Sequence, residues 1–487
     1  MAAAPRETDG KAELRETHSA VVALVGDHAY KAKKGVDLGF LDFTSAEARD
    51  QALRRELELN RRICNDVYLD VAQLVGSDGA HLESVLIMRR MPDERRLSTL
   101  LGAGGADTTE LQRHLRSVAR RLAEFHARAE HGAQISAEAG QIGLRRRWTD
   151  NLAEMRRFVG ASVDRELYRR IAALALAFID GREPLFDRRR DAQLYVDGHG
   201  DVTAEDTFCL DDGPRILDCL EFDDRLRWLD ALDDAAFLAM ELEHLGRPGL
   251  ARYFLDAYAQ FSAVPNVPSL EHHYIAYRAL VRAKIACLRA EQRGESADQD
   301  AVDAYLQLAL RHLEAGQVRL LLVGGAPGTG KSTIAELLAD TLGAVLLATD
   351  AVRREIAPDP PRYDDESRLQ IYRALLVRAE RALANGETVV ADATWESDEL
   401  RRLARRCAEA TASEVLEFEC HAPPALAAAR AERRVRRGLG RSQAGGAVAL
   451  MLAGRRDAWP TATAVDCSGS PREAMRSIAY VLAYGVR

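Results

Sequence analysis

Apolar and polar residues alternate through SAVVALVG and HAYKAKK on either side of Gly26-Asp27, which predicts a β-hairpin over His18 to Lys34. The spacing then lengthens to three and four residues over Ser45 to Arg62, a helical period, and returns to a strand pattern over Ser84 to Met91 before Pro92. Glu110 to Glu130 repeats apolar residues at three and four and predicts an amphipathic helix. Short strands and turns follow from Leu194 to Glu221, then helical patterns over Leu229 to Tyr258 and Glu271 to Gln292. A polar run from Arg293 to Asp300 reads as a hinge, and Ala301 to Ala315 as a connecting helix ending at Gly316. From Gln317 the pattern changes in kind. Apolar strands (RLLLVGG, AVLLATD, ETVVADAT, EVLEFECH, TAVDCSG) alternate with helices, which implies a parallel sheet wound by right-handed crossovers.

A chain of 487 residues is too long for one core, and the change of pattern divides it in two. The reading is a disordered start over 1–16, a domain over 17–295, a connecting helix over 296–316 and a second domain over 317–487. Hydrophobic residues at 47% and charged residues at 29% exclude a disordered chain. The net charge of -8 argues against extended nucleic acid as a partner, because a polyanion would be repelled except at a local basic patch. The seven cysteines are scattered and never spaced C-x-x-C, so they read as reduced, buried thiols. Neither an apolar leader nor an apolar stretch of membrane-spanning length is visible, so a cytoplasmic protein is expected.

The most specific motif is Gly325, Ala326, Pro327, Gly328, Thr329, Gly330, Lys331, Ser332 and Thr333, which fits G-x-x-x-x-G-K-S/T between an apolar strand and a helix. Glycines let such a loop turn its N–H groups inward around phosphates, and the helix N-terminus adds positive potential. Lys331 would reach the outer phosphates of ATP and Ser332 would ligate Mg²⁺. Asp350 closes the AVLLATD run at the sheet edge where ligands bind, so it is the candidate base, with Arg353 one turn on as a candidate substrate anchor. Asp392 closes ETVVADAT with Thr394 beside it, placed to hold Mg²⁺. Arg430 and Arg434, at i and i+4 on a basic helix, could stabilise charge on a transferring phosphoryl group, or simply form a solvated face. This order of motifs resembles the small P-loop kinases that include gluconate kinase, polynucleotide 5′-kinase and zeta-type toxins, over about the last 170 residues.

In the N-terminal half, Lys31 and Lys33 share a strand face, Glu56 lies on the next helix, Asp201 follows His199-Gly, Asp206 comes five residues later, and Asp218 ends a strand. That order matches the parts of a protein-kinase active site. The segment resembles the aminoglycoside-phosphotransferase-like branch of the kinase fold, and more closely a bacterial family that fuses such a domain to a P-loop kinase. HAYKAKKGVDLGFLDF, ELELNRRICNDVYLDV, RRLAEFHARA, HGD, DCLEFDDRLRWLD and YRALVRAKIACLRA carry the likeness. The resemblance implies that Lys31 binds the ATP α and β phosphates, with Lys33 the alternative. It implies further that Glu56 orients the lysine, Asp201 is the base, and Asp218 and Asp206 hold Mg²⁺. Where the family has HGDLHxEN this chain has HGDVTAED, so Thr203 replaces a histidine and Asp206 a metal-holding asparagine.

The fold expected is an α+β bilobal protein-kinase-like domain followed by an α/β doubly wound parallel-sheet P-loop NTPase domain. The function expected is an ATP-dependent phosphotransferase acting on a small-molecule hydroxyl. Two other readings stay open: an N-terminal nucleotide-sensing pseudokinase governing a C-terminal enzyme, and an aminoglycoside phosphotransferase, which would need an acidic cleft.

Overall fold

The protein is described by a computed structural model over residues 12–16, 20–36, 42–77, 79, 81–102, 107–265, 267–293, 298–356, 365–436 and 456–484. It separates into two compact units. The first comprises Met1–Asp164, Arg189–Asn266 and Tyr274–Ala309. The second comprises Arg165–Arg188, Val267–His273 and Leu310–Arg487, so two short pieces from earlier in the chain pack with the C-terminal sheet.

In the first unit, β1 (Glu13–Glu16), β2 (Ala20–Val25), β3 (His28–Lys33), β4 (Tyr68–Val75) and β5 (His81–Arg89) form one sheet in the order β1-β2-β3-β5-β4. The β2–β3 hairpin turns on Gly26 at φ 55°, as the sequence pattern expects. The start is ordered earlier than expected. Glu13 to Glu16 pair with Val21 to Leu24, and Arg15 bonds both Glu13 and Asp93, so backbone pairing and ion pairs replace the frayed segment read from composition; residues 1–11 lie outside the described residues. Helix α1 (Ala46–Arg61), capped by the Ser45 hydroxyl, packs on β4 and β5 and buries Leu53, Glu56 and Leu59.

The remaining elements of this unit are mostly helical. They are α2 (Leu97–Gly102), α3 (Thr108–His126), α4 (Ala133–Ala139) and α5 (Gln141–Met155), then, past α6 (Arg165–Asp180) and α7 (Glu183–Asp191), the ribbons β6 (Tyr195–Asp197) with β9 (Trp228–Asp230) and β7 (Thr207–Leu210) with β8 (Gly213–Ile216). The helical stretch expected over Leu229 to Tyr258 is two helices, α8 (Ala231–His244) and α9 (Pro248–Ser262). Gly246 at φ 74° breaks the first, and Pro248 opens the second, where its missing N–H costs nothing. Helix α8 is buried almost throughout, including Asp233 and Asp234. Helices α10 (Pro268–Arg293) and α11 (Gln299–Ala315) follow; residues 294–297 of the expected hinge lie outside the described residues.

In the second unit, β10 (Arg319–Gly324), β11 (Val345–Ala348), β12 (Val389–Asp392), β13 (Glu414–His421) and β14 (Thr463–Asp466) form an all-parallel sheet in the order β11-β12-β10-β13-β14. Successive strands leave β10 in opposite directions, so the strand order reverses there and opens a crevice at its carboxyl end. Helices α12 (Lys331–Leu342), α13 (Thr349–Ile356), α14 (Asp365–Ala384), α15 (Asp398–Ala410), α16 (Pro424–Arg436) and α17 (Pro471–Tyr484) connect or follow the strands. Leu321 and Val323 alternate onto the face that packs with Ile334 and Leu338 of α12 and Ile478 of α17. The earlier pieces join this unit as α6 (Arg165–Asp180), most of α7 (Glu183–Asp191) and the start of α10. Arg182 donates to the Thr411 carbonyl at the end of α15, and Ser269 to the Gly386 carbonyl at 2.8 Å.

Two candidate active sites

The loop from Gly325 to Gly330 leaves β10 at the reversal point and enters α12 at Lys331. Gly328 has φ 86°, and a β-carbon there would overlap the Ala427 carbonyl, so only glycine fits. The loop closes on itself through the Thr329 hydroxyl, which donates to the Ala326 carbonyl at 2.8 Å, and the Gly325 N–H donates to the Thr394 carbonyl at 3.3 Å. Asp392 ends β12 only 8% exposed. Burial raises its pKa above the ordinary carboxylate value, while the Lys331 ammonium and a hydrogen bond from the Ser332 hydroxyl pull it back. Its Oδ1 is buried without a hydrogen-bond partner. A buried carboxylate oxygen left open beside a lysine and a serine hydroxyl is a fit for a divalent cation.

Asp350 does not end a strand. β11 stops at Ala348, and Asp350 sits in the first turn of α13, where a carboxylate is favoured by the helix dipole. The same turn brings Arg353 back onto it, Nη1 to Oδ1 at 2.8 Å. Arg430 is engaged by the turn after β14, donating to the carbonyls of Cys467 at 2.8 Å and Ser468 at 3.4 Å. The Arg434 side chain lies outside the described residues.

Other polar groups at this sheet edge escape sequence reasoning. The Tyr372 hydroxyl accepts from Trp395 N at 3.1 Å and lies 3.0 Å from the Thr394 hydroxyl, which itself bonds Glu396. Arg456 donates to the Thr394 carbonyl at 2.8 Å and to Glu419 Oε1 at 3.0 Å, so it braces the same carbonyl that holds Gly325. Tyr372 occupies a core position of an ordinary helix and Arg456 belongs to no pattern. Neither gives a signal before the chain is folded.

In the first unit, the alternation of β3 points Lys31 and Lys33 to one face, and α1 brings Glu56 beneath both. Lys31 Nζ is 2.7 Å from Glu56 Oε1 and 2.9 Å from Asp218 Oδ1, while Lys33 Nζ is 2.8 Å from Glu56 Oε2 and 2.6 Å from Glu221 Oε1. Only Lys31 thus joins Glu56 to Asp218. Burial works against the Lys31 charge, but Asp218, Glu56 and Glu221 outweigh it and raise its pKa. Asp218 is held in the left-handed region at φ 61°, with its N–H donating to the Tyr68 hydroxyl at 3.0 Å.

The loop carrying Asp201 hangs from α8. Asp234 accepts from His199 N at 2.6 Å and Gly200 N at 2.8 Å, and meets His126 Nε2 at 3.1 Å. His126 Nδ1 meets the Tyr258 hydroxyl at 2.8 Å. Asp234 is a supporting residue that the sequence reading missed, because an acid inside an apolar helix gives no sign of which loop it will face. Thr203, which stands where the resembling family has histidine, closes the turn: Asp206 N donates to its hydroxyl at 3.1 Å, and the hydroxyl bonds Asp206 Oδ2 at 2.7 Å.

Three carboxylates converge here with unequal pKa values. Asp218 lies below the ordinary range because of Lys31. Burial raises Asp201 to about 6, opposed by Arg282. Burial and the negative charge of Asp218 raise Asp206 to about 7. Among the described residues no group of three His, Cys, Asp or Glu side chains is poised as a closed metal cage. A cation held by Asp206 and Asp218 would complete its shell with nucleotide oxygens, as Mg²⁺ usually does.

The raised pKa of Asp206 sets a pH dependence. Its contribution to stability is complete below the unfolded value of ~3.9 and is lost as the pH rises through about 7. Metal-free Asp206→Asn is therefore expected to melt several degrees above the parent at pH 8, the gap narrowing as the pH falls to 4. Equal melting temperatures at pH 8 would count against the crowded-carboxylate account.

The chain is 42% identical over 480 residues to "Uncharacterized protein Rv2004c" of Mycobacterium tuberculosis, covering 96% of this chain and 94% of that one. It belongs to that protein's family. A family model described as "AAA domain" matches residues 320–457, which include the glycine loop. Among solved structures, a gluconokinase from Sinorhizobium meliloti 1021 is similar at 17% identity, over 34% of this chain and 92% of that one, with a TM-score of 0.27. The GDP and kanamycin complex of APH(2")-IIia is similar at 14% identity, over 63% of this chain and 94% of that one, with a TM-score of 0.40. The first unit joins a five-stranded antiparallel sheet to a mostly helical portion, and the second is a doubly wound parallel sheet with the glycine loop at its reversal point. No helix among the described residues is long and apolar enough to cross a membrane.

Proposed function

We propose that both units transfer the γ-phosphoryl group of Mg·ATP to a small-molecule hydroxyl. The observation that carries this is the buried, open Asp392 carboxylate beside Lys331 and Ser332 at the mouth of the glycine loop. The loop N–H groups and Lys331 bind the phosphates, Ser332 and Asp392 hold Mg²⁺, and Asp350 takes the acceptor proton while Arg353 and Arg430 face negative charge. In the first unit Lys31, oriented by Glu56, binds phosphates, Asp218 and Asp206 hold the cation, and Asp201 is the base. When bound, Mg²⁺ neutralises charge on the phosphate oxygens. The rest is positioning by the protein.

Asp350→Asn tests the second site. It keeps the shape of the side chain and removes only its charge and basicity, so ATP affinity should stay within a few-fold while phosphorylation of the acceptor falls by about 10². Collapse of ATP binding would instead make Asp350 a metal or structural residue.

A further inference from the structure

Helix α10 carries Arg278, Arg282 and Arg289 at spacings of four and seven, on one face. Arg278 docks that face beside the Asp201 loop, Nη1 to the Gly200 carbonyl at 3.1 Å and Nε to Asp233 Oδ1 at 2.7 Å. One turn on, Arg282 acts on Asp201 and bonds Glu241, whose other oxygen accepts from Ala204 N at 2.7 Å. The acid on this side of Asp201 is therefore already neutralised. Two turns further, Arg289 is exposed and has no acidic partner among the described residues. Partial burial lowers its pKa, as do the charges of Arg282 and Arg293, and Asp201 only partly offsets them. The rings of His244 and Tyr305, stacked with centroids 3.9 Å apart, stand in the same field of Arg282 and Glu241.

An arginine unmatched among the described residues, on the helix face that docks beside the Asp201 loop, together with a neutralised acid and a candidate base, suits a negatively charged molecule. We infer that the acceptor of the first unit is a small hydroxyl compound carrying a phosphate or carboxylate group, held by Arg289 while its hydroxyl faces Asp201. This rests on the reading of Asp201 as a base. The acceptor oxygen bonds the γ-phosphorus, the bond from that phosphorus to the β–γ bridging oxygen breaks with its electron pair leaving on ADP, and the hydroxyl proton passes to Asp201. A polycationic acceptor such as an aminoglycoside would meet Arg289 instead of a free acid.

The test uses the full chain carrying Lys331→Ala, with glucose, glucosamine, gluconate and glucose 6-phosphate as matched acceptors. The anionic pair should exceed glucose by about threefold to fivefold in kcat/KM, the size of one exposed charge contact. Arg289→Glu should raise KM for the anionic pair by about tenfold or more, with kcat and the KM for Mg·ATP unchanged, and Arg289→Lys should restore most of the loss. Preference for glucosamine, or an unchanged KM in Arg289→Glu, overturns the inference. Should no compound be phosphorylated, calorimetric titration of the same four in Mg·ADP separates the two ideas. Anion binding lost in Arg289→Glu supports this inference and counts against catalysis by Asp201, whereas binding of neither anion overturns it.

Discussion

Lys331→Ala is expected to lower ATP turnover at the P-loop site by about 10² to 10³, the scale of removing one preorganised charge from a phosphoryl-transfer site. The measurement belongs in the full chain with Asp201→Asn, so that the first unit does not mask the loss. Lys331 opens α12, whose packing into the core runs through Ile334, Leu338 and Ala339 and leaves the lysine free of that role. The melting temperature should therefore hold. Asp392 would lose the ammonium that offsets its burial, so its pKa should climb further. Undiminished turnover would remove Lys331 from the phosphate site and the loop from the mechanism.

How much of this was legible before folding depends on how local each feature is. The glycine loop is a contiguous motif between a strand and a helix, so its position at the head of β10 followed from spacing alone. Lys31 and Glu56 were legible as a pair only through family likeness; periodicity placed one on a strand face and the other on a helix, without saying that they meet. Asp350 shows the limit of apolar runs as boundary markers. AVLLATD reads as strand to its end, yet Thr349 and Asp350 are good helix-starting residues and the chain turns two residues sooner. Asp234, Glu241 and Arg456 were not legible because each acts on a segment far away in sequence, through hydrogen bonds that no period encodes. Thr203 looked like a loss of the family histidine, and only the folded turn shows it bonding Asp206.

The second large effect is expected at Asp201. Its carboxyl titrates near 6 because burial outweighs the attraction of Arg282, so at neutral pH it is mostly ionised and still basic enough to accept a hydroxyl proton. With Lys331→Ala silencing the other site, kcat/KM for acceptor phosphorylation should rise with pH through about 6 and level off above it. Asp201→Asn in that background keeps the side chain's size and the loop's hydrogen bonds to Asp234, which come from the backbone of His199 and Gly200. Mg·ATP binding should therefore persist, because Lys31, Asp206 and Asp218 are untouched, while acceptor phosphorylation falls by at least 10², the usual weight of a lost general base. Thr203 and Asp206 make this comparison decisive between an enzyme and a nucleotide sensor. A sensor needs the cation site and the lysine, but has no use for a base. If the Lys331→Ala protein binds Mg·ATP yet phosphorylates nothing, and Asp201→Asn in an otherwise unaltered chain leaves both binding and the P-loop rate as they were, Asp201 has no catalytic role. Occupancy of the first site by ATP would then have to be sought as a change in the rate of the second.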